Sequence, residues 1–96
     1  MCTMIVNQAL IDGCGKGATG WFKVTEVNVS YDHPVHAPYE HAVNIDFANE
    51  AEGVGARVGV ELSVESARNL MKTIQAVLDR AEAEGHLEDE PLAAAR

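Results

Sequence analysis

The fold is decided by Tyr39-Glu40-His41-Ala42-Val43-Asn44-Ile45-Asp46-Phe47-Ala48, where apolar and polar side chains alternate. This period of two predicts a β-strand with one face toward a core. The other face, with Asn44 and Asp46, is polar and predicts a surface open to water, a cleft or a subunit interface. The strand needs neighbours, which the flanking segments have to supply.

Three further segments predict strands. Residues 2–12 and 21–31 are rich in strand-forming residues, and residues 56–62 alternate as residues 39–48 do. The apolar parity of residues 21–31 changes midway, which predicts a β-bulge near Thr25-Glu26. Short connections favour antiparallel pairing of consecutive strands.

An amphipathic helix is predicted after the last strand. Ser63 suits its N-cap and Gly85 a C′ stop. Its apolar positions follow the three-and-four spacing of one helix face: Val64, Ala67, Leu70, Met71, Ile74, Val77, Leu78 and Ala81. The order β-β-β-β-α predicts an α+β fold, a four-stranded antiparallel sheet with this helix packed on one face.

Size and charge restrict the organisation and the partners. The 96 residues predict one domain over residues 1–85, followed by a flexible acidic tail over residues 86–96. A net charge of −8 disfavours nucleic acid and anionic membranes, since phosphate binding requires clustered Lys and Arg. A domain this small predicts a homo-oligomer, either a dimer or a larger assembly.

The chain also predicts a cytoplasmic location. No apolar run approaches the ~20 residues of a membrane span, and residues 1–7 lack the basic and apolar regions of a signal peptide. In a reducing compartment Cys2 and Cys14 are expected as free thiols.

The residues richest in chemistry lie just before the deciding strand. Within Asp32-His33-Pro34-Val35-His36-Ala37-Pro38-Tyr39-Glu40-His41, three histidines fall in nine residues and two prolines stiffen the spacing. An extended path places residues three apart on one side, so His33 and His36 are expected to share a ligand. His41 lies where this loop enters the sheet.

These residues predict a transition-metal site. Imidazole suits zinc, iron, copper and nickel, and the predicted ligands are His33, His36 and His41. Asp32, Glu40 and Cys2 are weaker candidates, the last because the start of the first strand should lie beside Tyr31. Such a site, if catalytic, would activate water.

Other interpretations of the segment stay open. The histidines can be solvated loop residues, with His41 a buried neutral histidine, because H-x₂-H-x₄-H is not diagnostic. A metal-free module is the alternative function. It would bind a small molecule or a protein through the polar sheet face with Asn44, Asp46 and Arg57, and Tyr31, Glu40 or His41 could transfer protons there.

The glycine-rich stretch, Gly15-Lys16-Gly17-Ala18-Thr19-Gly20, matches the dinucleotide-binding pattern G-x-G-x-x-G. That pattern requires a helix directly after it. Here Trp21-Phe22-Lys23-Val24 predicts a strand instead. The stretch is therefore interpreted as a hairpin loop.

Overall fold

A computed structural model describes residues 5–88. The strands are β1 (Ile5–Gly17), β2 (Gly20–Asp32), β3 (Ala42–Ala48) and β4 (Arg57–Leu62), and the helix is α1 (Val64–Ala83). Short 3-10 turns cover Glu50–Glu52 and His86–Glu88. The predicted α+β class is confirmed. The chain divides into two compact units, Met1–Val64 with the sheet and Glu65–Arg96 with most of the helix.

The sheet is an antiparallel meander in the order β1-β2-β3-β4. Ser30 pairs with Asn44, and Asn44 with Glu61. Side chains in register share a face, so the sheet has a polar face and an apolar face. The polar face carries Glu26, Asn28, Ser30, Asp32, Asn44, Asp46, Arg57 and Glu61, and the apolar face Val27, Val29, Tyr31, Val43, Ile45, Phe47, Val58, Val60 and Leu62.

The predicted alternation of the deciding stretch holds over its second part only. β3 begins at Ala42 instead of Tyr39, because residues 35–40 form bends and not strand. Pro38 removes one backbone donor from this region. Residues 33–41, the histidine loop, therefore connect β2 to β3.

The β1–β2 hairpin turns at Ala18-Thr19, between the paired Gly17 and Gly20. Gly20 has φ of +126°, a conformation that favours glycine. The pairing shifts between Leu10 and Gly13. The irregularity lies opposite Thr25, as the sequence predicts, but its extra residue belongs to β1 and not to β2.

Two glycines of the predicted loop, Gly15 and Gly17, lie within β1 and leave room for the core. Phe22 and Val24 are buried with Ala56, and Phe47 and Val58 pack against them. A Cβ at Gly17 would lie 3.2 Å from both the Phe22 ring and the carbonyl oxygen of Gly55. The glycine run therefore allows close packing of a hairpin against a ring and a neighbouring backbone.

Replacing Gly17 with alanine is expected to lower the free energy of unfolding by about 1–3 kcal/mol, as overpacking typically does. The backbone oxygens of Gly55 and Arg57 are close to the new methyl group and have little freedom to move away. Gly13→Ala is the matched control, because nothing lies within 4 Å of its Cβ position. Urea denaturation of both variants measures the difference, and equal midpoints would contradict this role of Gly17.

Asn49 connects the end of β3 to β2. Its buried side chain accepts from the Ala51 N–H at 3.1 Å and donates to the Lys23 carbonyl at 3.0 Å. Its backbone N–H donates to the Ala56 carbonyl at 3.1 Å. These bonds hold the β3–β4 connection against the hairpin and bring Ala56 into the core.

The helical unit contains α1 and the turn that follows it. The helix ends at Ala83, and Gly85 adopts φ of +83°, which confirms the predicted stop. The packing of its apolar stripe against the sheet stays a prediction. Of the predicted tail, His86–Glu88 form a 3-10 turn, and residues 89–96 lie outside the described residues. Among residues 5–88, no helix is both long and apolar enough to cross a membrane.

Candidate functional site

The histidine loop is held to the sheet by one carboxylate. Glu61, in β4, accepts hydrogen bonds from three consecutive backbone N–H groups of the loop. The donors are Val35 at 2.7 Å, His36 at 2.9 Å and Ala37 at 2.7 Å. Consecutive amides that converge in this way form a nest, a common anion-binding arrangement of the backbone. Here the anion is a side chain of the same chain.

These hydrogen bonds favour the ionised form of Glu61. The N–H groups of Ala37, Val35 and His36 lower the pKa of the Glu61 carboxyl group below its ordinary value. The loop therefore depends on a negative charge on β4, although residues 35 to 37 and residue 61 are far apart in sequence.

Two of the predicted metal ligands stack on each other. The rings of His33 and His41 have centroids 4.6 Å apart at an angle of 28°, and His41 also stacks on Tyr31 with centroids 5.5 Å apart. Nδ1 of His33 donates to the Glu40 carbonyl at 2.8 Å, because a carbonyl oxygen can only accept.

The predicted metal function is wrong. No group of three or more His, Cys, Asp or Glu side chains among residues 5–88 is arranged to hold a metal ion. Coordination needs ring nitrogens that converge on one point, whereas His33 and His41 turn their faces to each other. His36 is exposed, and its segment binds Glu61 through the backbone.

The weaker predicted ligands are distributed as follows. Asp32 accepts the backbone N–H of His33 at 2.7 Å, and Glu40 contributes its backbone carbonyl to the His33 ring. Cys2 lies outside the described residues. Cys14 is an exposed free cysteine. Its backbone is in register with Lys23 near the turn end of the hairpin, remote from the histidine loop.

A groove of about 820 Å³ runs along the polar face beside the histidine loop. Polar side chains of three strands line it, together with the backbone segment that Glu61 holds. Its polar lining residues are Asn28, Ser30, Asp32, His33, His36, Asn44, Asp46, Arg57 and Glu61. Its volume lies within the range of small-molecule sites in proteins.

One charge pair in the groove is already formed. The Arg57 guanidinium binds the Asp46 carboxylate through two nitrogens, with Nε 3.3 Å from Oδ1. This hydrogen bond and the charge of Asp46 raise the pKa of Arg57 above its ordinary value. Asp46 is therefore neutralised within the chain, as Glu61 is satisfied by the loop amides.

Asn44 leaves an acceptor without a partner at the floor of the groove. Its Nδ2 points at three oxygens, Ser30 Oγ and the carbonyls of Asp32 and Ala42, each at 3.4 Å. Because carbonyl oxygens only accept, this orientation of the amide is determined. Its Oδ1 is buried and has no hydrogen-bond partner among the described residues, so the site lacks a donor there.

Sequence reasoning included Asn44, Asp46 and Arg57 in a polar face but did not connect Glu61 with the histidine loop. The alternation of β4 places Glu61 on that face, which is the only signal available. Its partners are 24 to 26 residues away and bind through backbone groups, which carry no residue signature.

These features define a small α+β protein with a groove on its polar sheet face and a histidine loop that Glu61 holds through three hydrogen bonds. The chain belongs to DUF6295, a family of unknown function, which matches residues 1–87. No curated protein and no solved structure matches the chain.

Proposed function

We propose that the protein is a metal-free binding module that holds a small organic amine in the groove on the polar sheet face. The observation that carries the proposal is the set of acceptors that this groove presents. Asn44 Oδ1 has no partner among the described residues, and the neighbouring Asp32 accepts the His33 N–H through its Oδ1.

Charge supports a cationic ligand. Three carboxylates, Asp32, Asp46 and Glu61, line the groove against the single guanidinium of Arg57. Arg57 already neutralises Asp46, and three amides bind Glu61. Asp32 therefore retains its charge for a ligand, and an ammonium group bound there brings N–H donors next to Asn44.

The walls support a ligand with a short carbon chain. Val6, on the polar face, and Val35, in the histidine loop, line the groove beside its polar groups. Methylene groups of an aliphatic amine gain from burial against such side chains, at roughly 25 cal/mol per Å² of apolar surface. Polyamines combine these methylenes with several N–H donors.

Spermidine is the probe for the first experiment. Titration into the ¹⁵N-labelled protein is expected to shift the amide resonances of Ser30, Asp32 and Asn44. Citrate, at matched ionic strength, is expected to leave them unchanged, because the groove carries excess negative charge. Shifts spread evenly over all acidic surfaces would show that spermidine binds only through the net charge of −8.

Asp32→Asn is expected to weaken spermidine binding by about tenfold, which corresponds to about 1.4 kcal/mol for a charge-assisted hydrogen bond. Asp12→Asn is the matched control. It removes the same charge from β1 outside the groove, where Asp12 is 86% exposed and 3.8 Å from Lys23. Equal affinities of the two variants would contradict the proposed site.

A cytoplasmic site of action belongs to the same proposal. The exposed free thiol of Cys14 supports it, because such thiols persist in reducing compartments. Cell fractionation of the native host is the measurement, with the protein expected in the cytosolic fraction.

A further inference from the structure

The two edges of the sheet differ in how they are protected. Natural sheets protect free edges with charges, prolines, bulges or short strands. β4 is six residues long and carries Arg57 and Glu61. β1 is thirteen residues long, and its first seven residues, Ile5-Val6-Asn7-Gln8-Ala9-Leu10-Ile11, carry no charge and no proline. This half of β1 is an unprotected edge.

Apolar side chains of this segment are exposed. Val6 is 57% exposed and Leu10 83%, on the same face of β1. Ile5 and Ile11, at 60% and 37%, lie at the two ends of the segment. Exposed apolar side chains on a long edge strand are typical of a surface that pairs with another strand.

The arrangement of these residues is symmetric about Gln8. Val6 and Leu10 lie two residues before and after it, and Ile5 and Ile11 lie three residues before and after it. In an antiparallel pair of identical strands centred on Gln8, Val6 of one copy faces Leu10 of the other. Ile5 faces Ile11, and Gln8 faces Gln8, so an isologous contact pairs each large apolar residue with another and the central glutamines with each other.

We propose that β1 pairs with β1 of a second copy, antiparallel and centred on Gln8, to form a continuous eight-stranded sheet. The symmetry of the segment about Gln8 favours a second copy as the occupant, and its lack of charge permits the contact. With a net charge of −8, most contacts between two copies bring like charges together. The segment of residues 5–11 avoids this repulsion, and the pairing shift after Leu10 ends the regular stretch before Asp12.

A cross-linking experiment tests both the edge and the register. In a background with Cys2→Ser and Cys14→Ser, Gln8→Cys places two thiols opposite each other. Directly opposite residues have Cα atoms about 4.5–5.5 Å apart, within the range that a disulfide spans. Mild oxidation is expected to convert this variant to a covalent dimer on non-reducing gels, with the circular dichroism spectrum unchanged.

Asn7→Cys in the same background is the matched control. In this register Asn7 faces Ala9, so the two copies of residue 7 are diagonal neighbours about 7–8 Å apart. That distance is too long for a disulfide without movement of the backbone. Equal cross-linking of the two variants would overturn the register.

Sedimentation of the unmodified protein provides the second measurement. The wild-type protein is expected to be a dimer, and Leu10→Lys, which adds a charge at an 83% exposed position outside the groove, is expected to be a folded monomer. A wild-type monomer, or dimers in which Gln8→Cys does not cross-link, would overturn the proposal. Loss of spermidine binding would leave it intact, because the groove and the edge are tested by different variants.

Discussion

Replacing Phe22 with alanine is expected to lower the free energy of unfolding by about 3–5 kcal/mol. Phe22 is the only aromatic residue among the buried hydrophobic residues of the described chain; the others are Val24 and the alanines Ala42, Ala48 and Ala56. Its ring also fills the space that Gly15 and Gly17 leave open. Since a domain of this size is stable by about 5–15 kcal/mol, the variant is expected to be close to unfolding at room temperature.

Trp21→Ala is the matched control for this prediction. Trp21 is the preceding residue and has the larger ring, but it is 71% exposed. Its removal is expected to change the free energy of unfolding by less than about 1 kcal/mol. Urea denaturation monitored by circular dichroism serves both variants, because fluorescence would lose its only tryptophan in one of them. A larger loss for Trp21→Ala would mean that the core has been assigned to the wrong face of the hairpin.

Replacing Glu61 with glutamine is expected to release the histidine loop while the sheet stays folded. The amide side chain retains one acceptor oxygen where the carboxylate offers two, and its NH₂ group opposes the loop N–H groups. The backbone amides of Val35, His36 and Ala37 are expected to lose their protection against hydrogen exchange together. Exchange measured by NMR on the folded protein detects this loss.

The same contact predicts a pH dependence. The folded-state pKa of Glu61 is lowered, so the contact contributes stability above the pKa of an unfolded glutamate, about 4.3. That contribution disappears as the pH falls through the lower folded-state value. The amide resonances of residues 35–37 are therefore expected to shift together below about pH 4.

Glu40→Gln is the control, because it removes a charge from the same loop at a residue that bonds His33 through its backbone carbonyl. It is expected to leave both the exchange rates and the acid transition of residues 35–37 unchanged. Glu61→Gln is expected to abolish the transition. An acid transition that persists in Glu61→Gln would assign the loop to another group.

Both predictions concern the same geometry of the proposed binding site. The core at Phe22 and Val24 maintains the hairpin, whose β2 strand supplies Ser30 and Asp32 to the groove. Glu61 then holds the wall formed by residues 35–37. Glu61→Gln releases residues 35–37 while the sheet stays folded. Ligand binding that survives in this variant uses the polar face alone, and binding that is lost needs the histidine loop.

Local patterns were sufficient to predict the elements. The alternation of Val43, Ile45 and Phe47 predicts β3 and its faces, because period two belongs to strands alone. The three-and-four spacing of α1 and the stop at Gly85 follow from helix geometry in the same way. The parity of residues 21–31 predicts the bulge at the correct position along the hairpin. It does not reveal whether β1 or β2 contains the extra residue.

The candidate site was predictable only in part. Asn44, Asp46 and Arg57 were expected on one polar face, and the register places them there. Their spacing along an extended path predicts that the histidines converge on one ligand. The actual loop bends, which stacks His33 on His41 and leaves His36 exposed.

The sequence by itself determined the number and order of the strands, the two faces of β3 and β4, the helix and the acidic character of this protein, since each depends on residues near one another in the chain. Only the tertiary structure decided the use of the histidine loop, because Glu61 reaches it across 24 to 26 residues through backbone amides. It likewise decided that the glycines of β1 accommodate the ring of Phe22 and that Asn44 keeps an unpaired acceptor. Contacts of this kind depend on distances between strands, and no side-chain pattern encodes them.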